Sequence, residues 1–265
     1  MGLLRVAFAG TLTGAVAAGV LATAGWAGHD TAYVPPRDRD HAVVVLGDLR
    51  TAERVAVLVP GMGIDRADLG RADQVLGMAR SLDAEIHRLR PRARVAIVAW
   101  ADYPAPSGPD LDVARGGPAR EGAKRLSAYL DAVQAETTAP IGLFCHSYGS
   151  VVCGLTPHAA DVSDVVLYGS PGVRLRHATQ FGRGVRVWAA RSPNDWIRFV
   201  PHVRFGDLGH GRDPVDPAFG ARVLPAGGVP SHGGYYASGS QTLRSFAYIA
   251  AGDHAAVQVA GGGAR

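Results

Sequence analysis

The sequence predicts an α/β fold, with a mostly parallel central sheet and helices on both faces. Three observations predict it. Short β-branched apolar runs alternate with longer segments whose apolar residues step by three and four. Most of the short runs stop at a turn rich in glycine, proline, serine or aspartate. A length of 265 residues, 47% of them hydrophobic, fits one such domain with a leader. Strands that alternate with helices in this way tend to pair in parallel and to be covered on both faces.

The leader comes first. Arg5 precedes an uncharged stretch from Val6 to Gly28, long enough for a bilayer that roughly 20 apolar residues can cross. The stretch is rich in Gly, Ala and Thr, and Ala22-Thr23-Ala24 fits a small-x-small cleavage site. Residues 1–28 therefore read as a signal peptide or as a membrane anchor through 6–28. Either one exports the domain, as a secreted or a tethered protein. A buried N-terminal helix of the globular domain is the weaker alternative, because no polar face recurs at helical spacing. Residues 29–41 hold Pro35-Pro36 and mixed charges, and read as an extended linker. The folded domain is expected over 42–250, and the Gly/Ala-rich residues 251–265 as a flexible tail.

Within the domain, Val43–Leu46 and Val55–Val59 read as strands, with polar turn residues between them that fit a hairpin. The second run ends in Pro60-Gly61-Met62-Gly63, where glycine lets the chain bend. Arg71–Arg90 has apolar residues at Val75, Met78, Leu82, Ile86 and Leu89, an amphipathic helix stopped by Pro91. Val95–Trp100 is the next strand, and Ala101–Pro118 reads as a loop. Glu121–Glu136 is a helix with Ala123, Leu126, Leu130 and Val133 on one face. Strands follow at Ile141–Phe144, Val165–Tyr168, Val185–Ala190 and Arg222–Leu224, and a closing helix at Ser238–Ala250.

Charge excludes one class of function. The net charge is +4, but Lys124 is the sole lysine and the arginines are scattered. The densest group, Arg88, Arg90, Arg92 and Arg94, flanks Pro91 at a helix end, where cations suit the dipole. This is a solvated helix terminus and not a nucleic-acid footprint. The ten histidines form no metal-ligand spacing with each other or with the cysteines, so no metal or other cofactor is expected. The two cysteines, Cys145 and Cys153, lie in apolar runs and are expected as buried free thiols, with a bridge between them as the alternative.

The chemistry centres on Ile141–Val152. An apolar run breaks at Cys145-His146-Ser147-Tyr148-Gly149, and a second apolar run can start a helix. A serine at the apex of such a strand–turn–helix holds its hydroxyl clear of the backbone. Its neighbours two before and two after must be small, because strand and helix cross closely there. Gly149 meets that demand, whereas Cys145 brings a side chain. Alone, the pentapeptide also fits an ordinary turn with a surface serine.

The rest of the chain supplies the partners. In an open α/β sheet, functional groups gather past the carboxyl ends of the strands. Those positions hold Gly61-Met62, Ser147, Asp195 and His232. A serine nucleophile needs a base, the base needs a carboxylate, and the oxyanion needs backbone donors. The order Ser, Asp, His is the one expected of an elbow serine. Asp207 and Asp213 compete with Asp195 but follow no strand. His210 and His254 compete with His232 but lie before the last strand and after the last helix. His146 reads as structural. Met62 and Tyr148 would give the oxyanion N–H groups. Trp100 and Tyr103 are candidates for the acyl pocket, with the core an equal option for Trp100.

These stretches resemble the α/β-hydrolase superfamily, and more narrowly an actinobacterial α/β-hydrolase family of unassigned substrate. The matching residues are Ala56-Val57-Leu58-Val59-Pro60-Gly61-Met62, Val98-Ala99-Trp100-Ala101-Asp102-Tyr103, His146-Ser147-Tyr148-Gly149, Tyr168-Gly169-Ser170-Pro171-Gly172 and Ser231-His232-Gly233-Gly234-Tyr235. The resemblance implies a serine hydrolase fold and triad. The expected activity is cleavage of an ester, thioester or amide of a small-molecule or lipid acyl substrate. A cell-envelope acyltransferase on the same triad, and a binding protein on an inert scaffold, are the alternatives.

Overall fold

The computed structural model describes residues 31–34, 42–64, 69–71, 73–108, 111–157 and 161–260. The segment 1–28, read as signal or anchor, lies outside the described residues. Among those described, no helix is long and apolar enough to cross a membrane.

Eight strands form one sheet: β1 Thr31–Val34, β2 Ala42–Leu46, β3 Arg54–Val59, β4 Val95–Ala101, β5 Ile141–His146, β6 Val162–Tyr168, β7 Arg186–Ala190 and β8 Arg222–Val223. Their order across the sheet is β1-β2-β4-β3-β5-β6-β7-β8. The β1–β2 and β2–β4 pairs are antiparallel, and the remaining pairs are parallel. Among the described residues the α-helices are α1 Val75–Leu89, α2 Leu111–Ala114, α3 Gly117–Glu136, α4 Gly149–Leu155 and α5 Gln241–Ala250.

Side-chain alternation along the strands sorts the core into two halves. Val55, Val57 and Val59 of β3 pack with Leu126 and Leu130 of α3 and Val151 of α4. Ala56 and Leu58, between them, pack with Val75, Met78 and Leu82 of α1 and Phe246 of α5. Strands buried on both faces read as continuous apolar runs, which is why β3 and β5 show no polar alternation. The apolar positions expected of the first helix do face the core: Val75, Met78, Leu82 and Ile86 are buried. In its last turn and past its end the arginines meet acids. Arg88 pairs with Glu85, Arg90 with Asp253, and Arg94 with Glu53.

Four expectations are corrected. The hairpin of β2 and β3 does not form, because β4 inserts between them, antiparallel to one and parallel to the other. Strand patterning shows which residues are extended, not which strand they pair with. The linker 29–41 contains β1, a short edge strand that pairs with β2. The loop 101–118 contains α2, and α3 starts earlier than expected, with Pro118 in its first turn. In the tail, the N–H of Ala260 donates to the carbonyl of Val223 at 2.7 Å, and the His254 ring stacks on Trp188. The glycines that suggested a flexible end at 251–265 belong mostly to the last residues, 261–265, outside the described part.

The cysteines are the fifth correction. Cys145 at the end of β5 and Cys153 in α4 form a disulfide, their Cα atoms 6.5 Å apart, so the expected free thiols are overturned. Periodicity reports that both residues are buried, but not that they face each other. Strand and helix cross so closely here that positions eight apart fall inside the Cα window of a bridge, about 4.4–6.8 Å. The bridge ties β5 to α4 across the turn that holds Ser147.

Candidate active site

The turn between β5 and α4 puts Ser147 in the left-handed region, with φ of 50°. A non-glycine residue is costly there, about 1–3 kcal/mol, and persists only when its surroundings fix it. Several contacts fix it. The Ser147 N–H donates to the carbonyl of Tyr168 at 3.0 Å. Its carbonyl accepts from the N–H and the hydroxyl of Ser150, at 3.0 and 2.5 Å. Ser150 in turn bonds the Ser170 hydroxyl at 2.6 Å, so the loop after β6 grips the start of α4. Two glycines leave the space. A Cβ on Gly149 would lie 2.4 Å from the carbonyl oxygens of Val59 and Pro60, and one on Gly61 would lie 2.6 Å from Ser147 Cβ.

His232, from the loop before α5, reaches this serine. Its Nε2 lies 2.8 Å from Ser147 Oγ, and its Nδ1 lies 2.8 Å from Asp195 Oδ1. A carboxylate can only accept, so Nδ1 carries the proton and Nε2 is left to accept from the serine hydroxyl. Asp195 follows β7 and is fully buried. Its Oδ1 also accepts from the N–H of Ile197 at 2.9 Å, and its Oδ2 from the Tyr235 hydroxyl at 2.6 Å. Burial pushes this carboxyl up, but the bonds from His232, Tyr235 and Ile197 outweigh it and hold the group below its ordinary value. Burial, and then the hydrogen bond to Asp195, raise the Tyr235 phenol, which therefore stays a donor.

His146 holds the histidine loop from behind. It is buried, and its Nε2–H donates to the carbonyl of His232 at 2.8 Å, with the two rings 4.7 Å apart. Burial, reinforced by the neighbouring His232, holds His146 down to about 3, so it is neutral when it makes this bond. The competing residues are engaged elsewhere. Asp207 pairs with Arg174 at 2.7 Å and Arg120 at 2.8 Å, and Asp213 pairs with Arg191. His254 lies 3.0 Å from Asp164, near the amino end of β6 and away from the serine. His210 walls the cleft beside Tyr148.

An apolar cleft of about 440 Å³ opens over the serine. Met62, Ser147, Tyr148 and Pro171 line its inner end, and residues of the segment 196–210 form the outer wall. The expected pocket residues Trp100 and Tyr103 are not among its walls. Both are fully buried and stacked on each other, and the Tyr103 hydroxyl donates to the carbonyl of Pro60 at 2.8 Å. Strand β4 runs deep in the sheet, so residues at its carboxyl end lie beneath the Gly61-Met62 turn instead of in the cleft. Tyr235 and the segment 196–210 were not anticipated. The only available signals were a tyrosine three residues after His232 and an unusual density of apolar residues in a loop. Among the described residues, no group of three His, Cys, Asp or Glu side chains could hold a metal ion.

A mostly parallel sheet with helices on both faces and a serine on this strand–helix turn is the fold of an α/β-hydrolase. The chain belongs to that family: a family model described as alpha/beta hydrolase matches residues 35–205. Among its relatives, an uncharacterized protein of Mycobacterium tuberculosis is 40% identical over 152 residues, covering 53% of this chain and 56% of the relative. A second uncharacterized protein of that organism is 29% identical over 246 residues, covering 81% of this chain and 37% of the relative. The chain thus spans about half the length, or less, of these curated relatives. Similar solved structures include an arylesterase, with a TM-score of 0.49, 11% identity and 86% of each chain covered. A carboxylesterase from Mesorhizobium loti has a TM-score of 0.47 and 17% identity, covering 84% of this chain and 99% of that one. At these values neither likeness bears on activity.

Proposed function

We propose that the protein is a serine hydrolase that cleaves acyl esters through an acyl-enzyme. Ser147 Oγ attacks the carbonyl carbon while His232 Nε2 takes its proton. Asp195 orients His232 and stabilises the imidazolium that forms. The N–H groups of Met62 and Tyr148 receive the oxyanion. The tetrahedral intermediate collapses, the C–O bond to the alcohol breaks, and His232 returns the proton to the leaving alkoxide. Water then repeats the sequence: His232 takes its proton, its oxygen attacks the acyl carbon, the bond from that carbon to Ser147 Oγ breaks, and His232 returns the proton to Oγ as the acid leaves.

The observation that carries this reading is the hydrogen-bonded series Asp195–His232–Ser147, each step 2.8 Å, ending at the inner end of an apolar cleft. The cleft's walls suit an acyl chain better than a charged substituent. Export of the domain is part of the proposal, supported by the Cys145–Cys153 disulfide, since such bonds persist in oxidising compartments. A panel of acyl esters of graded chain length tests the activity. Wild type should turn over at least one ester, and Ser147→Ala should lose at least about 10³-fold in kcat. Equal rates in the two proteins would remove Ser147 from the reaction.

A further inference from the structure

The outer wall of the cleft is unusually apolar for a surface. Six large hydrophobic side chains are exposed among the described residues, and five of them lie between 196 and 208. Phe205 is 88% exposed and Phe199 73%; Trp196, Val203 and Leu208 are the others. Apolar patches of this kind on a monomer mark a contact surface. Here four of the five also line the serine cleft, so the patch is its rim.

The rim is held rigidly. Phe205 and Leu208 exchange backbone hydrogen bonds of 2.9 and 3.0 Å, closing a tight turn through Gly206 and Asp207. Asp207 is clamped by Arg174 and Arg120, and the N–H of Gly209 donates to the carbonyl of Ala114. The outward apolar side chains therefore stand on a pinned backbone. Residues 202 to 205 alternate, as an extended chain must, up to the turn at Gly206. Val203 and Phe205 face the apolar cleft, whereas His202, Arg204 and Gly206 face a neighbouring cleft of about 800 Å³. That second cleft also carries Arg176 and Arg212. Arg198 lies over the Phe199 ring, 4.5 Å from its centroid.

The charge balance around the rim is positive. Of the nearby acids, Asp207 is paired with two arginines and Asp213 with Arg191, whereas Asp216 accepts from the N–H of Ala218 and keeps its charge, one carboxylate against Arg198, Arg204, Arg176 and Arg212. Among the described residues, no carboxylate lies within ion-pair distance of Arg198, Arg204, Arg176 or Arg212. Arg198 and Arg204 donate to the carbonyls of Pro193 and Gly206, which leave their charge unmatched. An apolar edge bordered by arginines without a carboxylate partner complements one surface chemistry, acyl chains beneath anionic headgroups.

We infer that the segment 196–208 docks the protein on an anionic lipid surface and opens the Ser147 cleft directly onto it. The substrate is then an ester held in that surface, its acyl chain passing between Phe205 and Trp196 toward the serine. The substrate half of this inference rests on the reading of Ser147 as nucleophile, whereas the docking half does not.

Vesicle flotation separates the two halves, using the full chain with Ser147→Ala so that binding is read without turnover. That protein should partition onto phosphatidylglycerol-containing vesicles at least about tenfold more strongly than onto pure phosphatidylcholine vesicles. Adding Phe199→Ser and Phe205→Ser should weaken partitioning about tenfold or more while leaving the thermal midpoint unchanged, since both rings are exposed. Adding Arg198→Ser and Arg204→Ser instead should remove the preference for the anionic lipid. Partitioning that all four substitutions leave unchanged would overturn the docking surface. So would a chain that ignores vesicles and buries the rim in a dimer, seen by light scattering. The nucleophile is tested separately, by active-site labelling of the unmodified chain.

Discussion

Asp195→Asn leaves the fold intact and lowers kcat by roughly 10³-fold, with KM little changed. The substitution removes a charge without removing volume, and Asp195 is buried away from the cleft. The size of the loss follows from the hydrogen bonds. Oδ1 accepts from His232 Nδ1–H and from the Ile197 N–H, and the second is an obligate donor in any variant. An amide nitrogen cannot face the Ile197 N–H, so it turns toward the Oδ2 position and meets Tyr235. The amide oxygen then keeps the tautomer of His232, and the rate falls because the imidazolium has lost its counter-charge. In serine proteases the loss is about 10⁴, with the tautomer reversed as well, so a smaller value is expected here. Tyr235→Phe removes one of three bonds to the carboxylate and should cost only about tenfold, again in kcat. A Tyr235→Phe loss equal to that of Asp195→Asn would mean that the phenol acts for itself and not through Asp195.

Gly149→Ala should damage turnover through the backbone that carries the serine turn. The added carbon would sit 2.4 Å from two backbone oxygens, those of Val59 and Pro60. Backbone cannot swing aside as a flexible side chain can, and overpacking of this kind typically costs about 1–3 kcal/mol. The strand end that must yield leads into Gly61-Met62, where the proposed oxyanion donor lies. A displacement near 1 Å there can cost about 10²-fold in rate. The expected result is a modest fall in thermal midpoint with a fall in kcat of that order. Gly227→Ala, whose added carbon meets nothing within 4 Å, is the control and should stay within about 0.5 kcal/mol of wild type. Equal behaviour of the two variants would contradict the close crossing of strand and helix at the turn.

The sheet and the serine turn were legible in the sequence because both rest on local rules. Buried strands require continuous apolar runs, and the turn requires Gly149. The order Ser147, Asp195, His232 was legible because each lies past an element that the pattern already located. What the sequence hid are choices of partner. Strand β2 pairs with β4, not β3, and nothing in either strand's own residues selects one over the other. Cys145 and Cys153 were correctly read as buried, but facing each other is a property of the crossing. Trp100 and Tyr103 looked like pocket residues because they lie at and just past the carboxyl end of a strand, and their depth in the sheet was not visible. The rim 196–208 alternates only over His202 to Phe205, a run too short to announce an element. Its shape comes from Asp207 binding arginines far away in sequence, Arg120 and Arg174.

The proposed nucleophile is tested most directly by a fluorophosphonate probe, which mimics the tetrahedral intermediate, followed by peptide mapping. The probe should label Ser147 alone, and His232→Ala should suppress labelling while His210→Ala and His254→Ala do not. Labelling at Ser170 or Ser231, or none on the folded protein, would contradict it.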